Sequence, residues 1–443
     1  MPKVSVLMPT LNVAPYIVDC MESVINQTLR DIEIIVVDAG STDGTYEILQ
    51  KYAKKDHRIR VVYSEKRSYG YQMNLALSFS TGKYIAFVET DDFIEPDMLE
   101  MLARYADEYT LDYAKGNTNS FWNLKNGDKY IAVIDTMPVE PKTVFCPKDM
   151  PELLLTEYHF WTGIYRRSFL EGIHFNETAG AAFQDIGFIV QVLNKARRAM
   201  YVDCAVYWYR CNNDNSSVFN PKGFQYLMDE YSFVLDLDLN CNELWENVIY
   251  LRWFAQTLGR FQTMAISGRY WPDAEKQIEF IKNAITKKLF HKNIPFYLMG
   301  DEYHALLKLF MISGREVYDY YVEKYSHAIA AMKRITSWAS GHSVIIYGCG
   351  NWGGFAHALL DLKCGVDVKA FTDSNKKIYG SLVQGLPVIS PEEAKKRFPD
   401  ACYLIASSRG KDTIRKKLLS QGIREDFIHW ERLMTDEIIF QPS

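Results

Sequence analysis

Four absences limit what this chain can be. Its eight cysteines (Cys20, Cys146, Cys204, Cys211, Cys241, Cys349, Cys364 and Cys402) form no CxxC pair, so a zinc site is not expected. A chain of 443 residues needs no disulfides to hold a core, and the thiols read as reduced and mostly packed, as in a cytoplasmic protein. The net charge of -5 offers no basic patch, which removes nucleic acid as an expected partner. No run of eighteen apolar residues occurs, so no membrane span is expected. The opening "MPKVSVLMPTLN" has no apolar stretch of signal-peptide length. The expected location is cytoplasmic, with peripheral association at the inner face of a membrane left open.

What is present is a hydrophobic share of 48% against 24% charged residues, enough for two or three packed domains. The first hundred residues alternate. "KVSVLMP" (3–9) reads as a buried strand, and "APYIVDCMESVINQ" (14–27) as a helix with Ile17, Met21, Val24 and Ile25 on one face. A β-rich run at 32–45 stops in a turn cluster, strands follow at 59–64 and 83–92, and helices at 45–55 and 70–82, the last stopping at Gly82. This order predicts an α/β fold with a parallel sheet covered by helices. Ligands of such sheets bind beyond the strands' carboxyl ends.

Three polar clusters stand at those ends: Pro9-Thr10-Leu11-Asn12, Asp38 through Asp43, and Glu89-Thr90-Asp91-Asp92. Glu89, Asp91, Asp92 and Glu95 crowd four carboxylates into seven positions, with Lys66 and Arg67 the nearest expected bases. Such a group wants a hard divalent cation, Mg²⁺ or Mn²⁺, bridging to substrate phosphates. The plainer reading, in which the Asp pair caps the next turn, stays open.

"VSVLMPTLN", "IIVVDAGSTDGT" and "GKYIAFVETDDFIEPDML" resemble the N-terminal half of family 2 glycosyltransferases of the GT-A fold. The resemblance implies a nucleotide-sugar donor, probed by Pro9, Thr10, Asn12, Asp38, Lys66, Arg67, Asp91, Asp92 and Arg210. It implies Asp92 as the Mn²⁺ or Mg²⁺ ligand, with Asp91 on the ribose or the metal. Many members carry Asp-Asp-Gly-Ser where this chain has Asp38-Ala39-Gly40-Ser41, which leaves the group that reads the base undefined.

More loosely, "WTGIYRRSFL", "FNETAGAAFQDIGF" and "YWYRCNNDNSSV" resemble the acceptor half of members that build bacterial surface polysaccharides. There Asp185 would be the catalytic base, Trp161 would wall the pocket of a glycan or glycolipid acceptor, and Tyr209, Arg210, Ser216 and Ser217 would lie near the donor phosphates. Packing for Trp161, an ion pair for Arg210 and an N-cap for Asp185 are the competing readings. One base and no covalent nucleophile implies inversion.

Residues 1–220 are thus expected as a GT-A domain, halved at 110, followed by a helical region over 221–337. Its aromatics read as core or a subunit interface, which leaves a homo-oligomer open. Residues 338–443 restart a βαβ rhythm, with Gly348, Gly350 and Gly353 in a GxGxxG that follows a strand and Asp373 at the next strand end. A Rossmann-like domain holding a nucleotide or NAD is expected there, or one with a vestigial site. The segment has no Tyr-x-x-x-Lys pair for dehydrogenase or epimerase chemistry. Two functions follow: an inverting, metal-dependent transferase using a UDP-sugar, or a nucleotide-sugar-binding or NAD-linked protein whose activity sits in the C-terminal domain.

Overall fold

The computed structural model describes residues 1–134, 138–156, 159–180, 182–213, 220, 222–289, 296–407 and 410–430. It divides into two compact units. The first comprises 1–120, 133–262 and 270–318, and the second 121–132, 263–269 and 319–443.

The first unit opens with β1 (Val4–Thr10), α1 (Ile17–Ile25), β2 (Ile32–Asp38), α2 (Thr45–Lys55), β3 (Ile59–Tyr63), α3 (Tyr69–Phe79) and β4 (Tyr84–Phe87). Every residue of β1 and β4 is buried, as strands covered on both faces require. Val4, Val6, Leu7 and Met8 are fully buried, each contributing roughly 1.5–3 kcal/mol of transfer free energy. Helix α1 buries Ile17, Cys20, Met21 and Val24, a 3.6-residue stripe turned to the sheet. Ile25, expected on that face, is only half-buried.

The chain continues through β5 (Phe93–Ile94), α4 (Met98–Glu108), β6 (Tyr113–Asn123), β7 (Lys129–Ile134), β8 (Val144–Phe145), β9 (Gly163–Arg166), α5 (Gln184–Lys195) and β10 (Ala199–Arg210). Among the described residues these strands form one mixed sheet in the order β3-β2-β1-β4-β9-β6-β10-β5, with β7 on β6 and β8 on β10. Strands β1 to β4 pair in parallel, with Thr10 opposite Asp38 and Asp38 opposite Tyr63. The order reverses between β1 and β4, and a crevice at such a switch point is where open α/β sheets bind ligands. Helices α6 (Gly223–Asp236), α7 (Glu243–Ile266), α8 (Glu275–Leu289), α9 (Asp301–Ile312) and α10 (Gly314–Trp338) follow. Among the described residues no helix is long and apolar enough to cross a membrane.

The second unit contains β11 (Val344–Tyr347), α11 (Asn351–Leu359), β12 (Val368–Thr372), β13 (Leu382–Val383), β14 (Leu386–Ile389), α12 (Pro391–Arg397), β15 (Cys402–Ile405), α13 (Lys411–Ser420) and β16 (Ile428–His429). Its sheet runs β13-β14-β12-β11-β15-β16, parallel except for β13. This too is a doubly wound order, with its switch point between β11 and β15.

Candidate active site

At the first switch point the loops clasp one another through polar groups. Pro9 O accepts from Thr90 Oγ1 at 2.8 Å, and Thr10 O accepts from Gln72 Nε2 and the Ala39 N–H at 3.0 Å each. The Thr10 hydroxyl is buried and finds no partner among the described residues. Asn12, at φ 54°, donates its N–H to Ser41 Oγ at 2.9 Å and accepts from the Thr42 N–H at 2.8 Å. Asp38 accepts from the Gly40 and Ser41 N–H groups at 2.9 and 3.0 Å and from Ser41 Oγ at 2.5 Å. These residues build the walls of the crevice, and the buried Asp38 carboxylate is committed to its own turn.

Gly40, at φ 81°, is flanked by Tyr63 and Arg67. A Cβ there would meet the Arg67 guanidinium and the Tyr63 ring at 3.9 Å. Tyr63 is 65% exposed although it ends a strand. Arg67 donates to Gly40 O at 3.3 Å. Lys66 turns away and pairs with Glu177 at 3.1 Å.

The carboxylates after β4 divide by role. Asp92, expected as the cation ligand, is 1% exposed and has both oxygens engaged. Oδ1 accepts from the Arg210 N–H at 2.7 Å, and Oδ2 from the Tyr207 hydroxyl at 3.0 Å. It ties the β4 loop to β10, and burial pushes its pKa well up. Asp91 is less enclosed. Asn213 Nδ2 donates to its Oδ2 at 2.7 Å, and its own backbone N–H also favours the carboxylate. Arg210 is buried; its Nε donates to Asp91 O at 2.7 Å, and its guanidinium lies 3.6 Å from Asp19 and 4.8 Å from the Tyr16 ring centroid. Glu89 accepts from the Tyr69 hydroxyl. Burial pushes Glu89 up to about 8 against the pull of that hydroxyl, with the charges of Asp91 and Asp185 adding to the rise.

Asp185 lies in the first turn of α5. The N-cap is Phe183, at φ 69°, so Asp185 is inside the helix and not its cap. Burial pushes its carboxyl up to about 6, against the Arg252 cation and the N–H groups of Asp185 and Ile186. The neighbouring Glu230, from α6, is 1% exposed and accepts from the Gly187 N–H at 2.7 Å and from Asn176 Nδ2 at 3.0 Å. A Cβ on Gly187 would lie 2.6 Å from the Glu230 carboxylate, so a larger residue there would push Glu230 aside. Trp161 is buried and stacks on Tyr209 at 5.3 Å and 6°, with Tyr207 at 4.3 Å. Ser216 and Ser217 lie outside the described residues.

Among the described residues no trio of His, Cys, Asp or Glu side chains forms a metal-ligating group. The donor set still suits Mg²⁺ or Mn²⁺. Asp91 is only half-buried and stands beside Glu89 and Asp92, whose pKa values its charge raises. Such cations take one or two protein carboxylates and complete their shell with water and phosphate.

At the second switch point the glycines are explained by packing. A Cβ on Gly348 (φ 118°) would sit 2.5 Å from Ala406 O, and one on Gly353 would sit 1.9 Å from Gly348 O. Gly350, before α11, faces open space. Asp373 accepts from the Cys349 N–H at 3.0 Å and the Asn375 N–H at 2.8 Å.

Reading the sequence alone passed over Tyr63, Tyr69, Glu230 and Arg252. Only Tyr63 carried a local signal, as an aromatic at a strand's carboxyl end. The others depend on contacts across the fold.

Known proteins were compared with this arrangement. A model of the family described as "Glycosyl transferase family 2" matches residues 5–182. An uncharacterized glycosyltransferase, YibD, of Escherichia coli K12 is 28% identical over 321 residues, 70% of this chain and 92% of that protein. Glycosyltransferase GlyA of Streptococcus pneumoniae is 30% identical over 240 residues, 52% of this chain but 34% of that protein. The solved structure of S. aureus TarS 1–349 in complex with UDP-GlcNAc superposes with a TM-score of 0.55 at 21% identity, covering 73% of this chain and 92% of TarS 1–349. That likeness is one of fold, and the mixed sheet and its switch point are what the GT-A resemblance leads one to expect.

Proposed function

On the premise that this chain belongs to glycosyl transferase family 2, its domain spanning residues 5–182, we propose that it transfers a sugar from a UDP-sugar to a hydroxyl of a glycan or glycolipid, with inversion, in bacterial surface-polysaccharide synthesis. One observation carries this reading: Asp185, from the acceptor half, shares an electrostatic neighbourhood with Glu89 and Asp91, from the donor half. A UDP-sugar is favoured because TarS, of like fold, was solved with UDP-GlcNAc.

Tyr63 and Arg67 supply a stacking face and a cation for the base in a site where Ala39 has no carboxylate to read it. Asp91 would hold a divalent cation, which when bound neutralises the leaving diphosphate. Asp185, unprotonated above about pH 6, takes the proton of the acceptor hydroxyl as general base. Arg210 and Asp92 fix the loop that presents Asp91, and Trp161 stiffens the adjacent aromatic wall. In the second unit the open side of Gly350 is the proposed place for a nucleotide phosphate.

The test is UDP release from a panel of UDP-sugars with Mn²⁺, read with and without glycan acceptors. Release stimulated by an acceptor, with the new linkage of opposite anomeric configuration, is expected. No release from any nucleotide-sugar, and no shift of melting temperature with UDP and Mn²⁺, would overturn the assignment.

A further inference from the structure

Two short segments, 66–74 before and within α3 and 175–180 before α5, are joined more densely than holding two surface loops together requires. Asn74 and Phe175 exchange two hydrogen bonds of 2.9 Å each. Glu177 accepts from Asn74 Nδ2 and Lys66 Nζ at 3.1 Å each. The Gly180 N–H donates to Arg67 O at 3.0 Å, and the Tyr69 N–H donates to Gly180 O at 2.9 Å. A Cβ on Gly70 would lie 1.8 Å from Asn176 O, so the two backbones meet without a side chain between them. The first segment leaves β3 at the donor end of the sheet, and the second leads into the helix that carries Asp185.

Tyr69 belongs to both sides of this seam. Its backbone N–H holds Gly180, and its hydroxyl donates to Glu89 in the donor carboxylate group. Its ring lies 6.2 Å from that of Phe175, edge to face. The charges of Glu89, Asp185 and Asp91 all bear on the hydroxyl. Burial, more than these charges, keeps it protonated and therefore a donor.

We infer that Tyr69 is a positioning residue that sets the catalytic base and the donor carboxylates at one fixed separation, through its N–H on the Gly180 segment and its hydroxyl on Glu89. The inference rests on the transfer reading above. An in-line displacement tolerates little error in the placement of base, acceptor and leaving group. A residue anchored to both sides supplies that placement without touching the substrate.

The test is Tyr69→Phe in the full-length protein, which removes one hydroxyl and keeps the ring and the N–H. The expected result is a kcat lowered ten-fold or more. KM for donor and acceptor should change less than about three-fold, as should the calorimetric affinity for UDP with Mn²⁺, with the melting temperature held within a few degrees. Combined with Glu89→Gln, the two losses should be markedly less than multiplicative, because Tyr69 acts through Glu89. A Tyr69→Phe protein with wild-type kcat would overturn the inference while leaving the transfer reading intact. So would a loss shared equally by UDP affinity and melting temperature, which marks a merely structural role. A wild-type protein that transfers no sugar would overturn both.

Discussion

The two switch points of this molecule share a plan and differ in chemistry. In each, a parallel sheet reverses its strand order beside the first strand, a turn follows that strand, and an aspartate ends the second, Asp38 in one and Asp373 in the other. In each the aspartate is spent on backbone N–H groups of its own or the adjoining turn. The difference lies past the fourth strand. After β4 come Glu89, Asp91 and Asp92, with Asp185 near them; after β15 the sequence reads Ala406-Ser407-Ser408-Arg409, with no carboxylate. Topology provides a crevice, and the residues grafted on its rim decide whether chemistry occurs there.

The largest effect should come from the rim that has chemistry. Asp185→Asn should lower kcat by a factor on the order of 10² or more, with UDP affinity unchanged. In the wild type, kcat/KM should rise as pH passes through about 6, where Asp185 loses its proton, and the variant should lose that limb. The stability sign is the opposite. A carboxyl whose folded pKa is raised favours the folded state while protonated, and that contribution is lost as pH climbs from the ordinary carboxylate range through about 6. At pH 8 the Asn variant should therefore melt a few degrees higher than the wild type, measured by calorimetry.

Next comes the division between neighbours. Asp91→Asn should weaken UDP binding about ten- to a hundred-fold in Mn²⁺ and leave it unchanged in EDTA, read by isothermal titration. Asp92→Asn should mainly lower the melting temperature, since an amide has one acceptor oxygen and would leave either the Tyr207 hydroxyl or the Arg210 N–H without its partner. Equal behaviour of the two variants would erase the distinction.

A smaller change is expected at the edge strand. Tyr63→Ala should weaken UDP about ten-fold, in line with the worth of one base–aromatic stack, and leave inorganic pyrophosphate affinity as it is. The smallest effect on transfer belongs to the other switch point. Gly353→Ala forces a Cβ to within 1.9 Å of Gly348 O and should destabilise the second unit by about 1–3 kcal/mol, read as an earlier melting transition. The transfer rate below that transition should not change. A variant whose rate fell along with its stability would show that the second unit takes part in catalysis.

Much of the fold was legible because its signals are local. The strand expected at 3–9 is Val4–Thr10, and the helix expected over 45–55 is Thr45–Lys55. Apolar periodicity and turn residues suffice for such elements. The convergence of loops on one sheet edge was also legible, since parallel pairing follows from the alternation. What could not be read is which carboxylate is the more enclosed. Asp91 and Asp92 are adjacent and chemically identical; they part ways because β10, more than a hundred residues on, brings Tyr207 and the Arg210 N–H to one of them. Glu89 likewise meets the Tyr69 hydroxyl, from a different element. The surroundings of each carboxylate in an acidic run are set by contacts that no local pattern encodes.

Glu230 and Arg252 lie on α6 and α7, beyond the last residue that the family model matches. Yet Glu230 bonds the turn that carries Asp185, and Arg252 supplies the charge that restrains its proton affinity. A boundary drawn by likeness of sequence therefore falls inside the machinery it is meant to delimit. A chimera that exchanged residues 5–182 with a relative's would leave Asp185, Glu230 and Arg252 together in the host and set them against foreign residues in place of Glu89 and Asp91. On the proposed reading, the surroundings that set Asp185 extend at least to residue 252, and swaps meant to retarget the acceptor should move α5, α6 and α7 together.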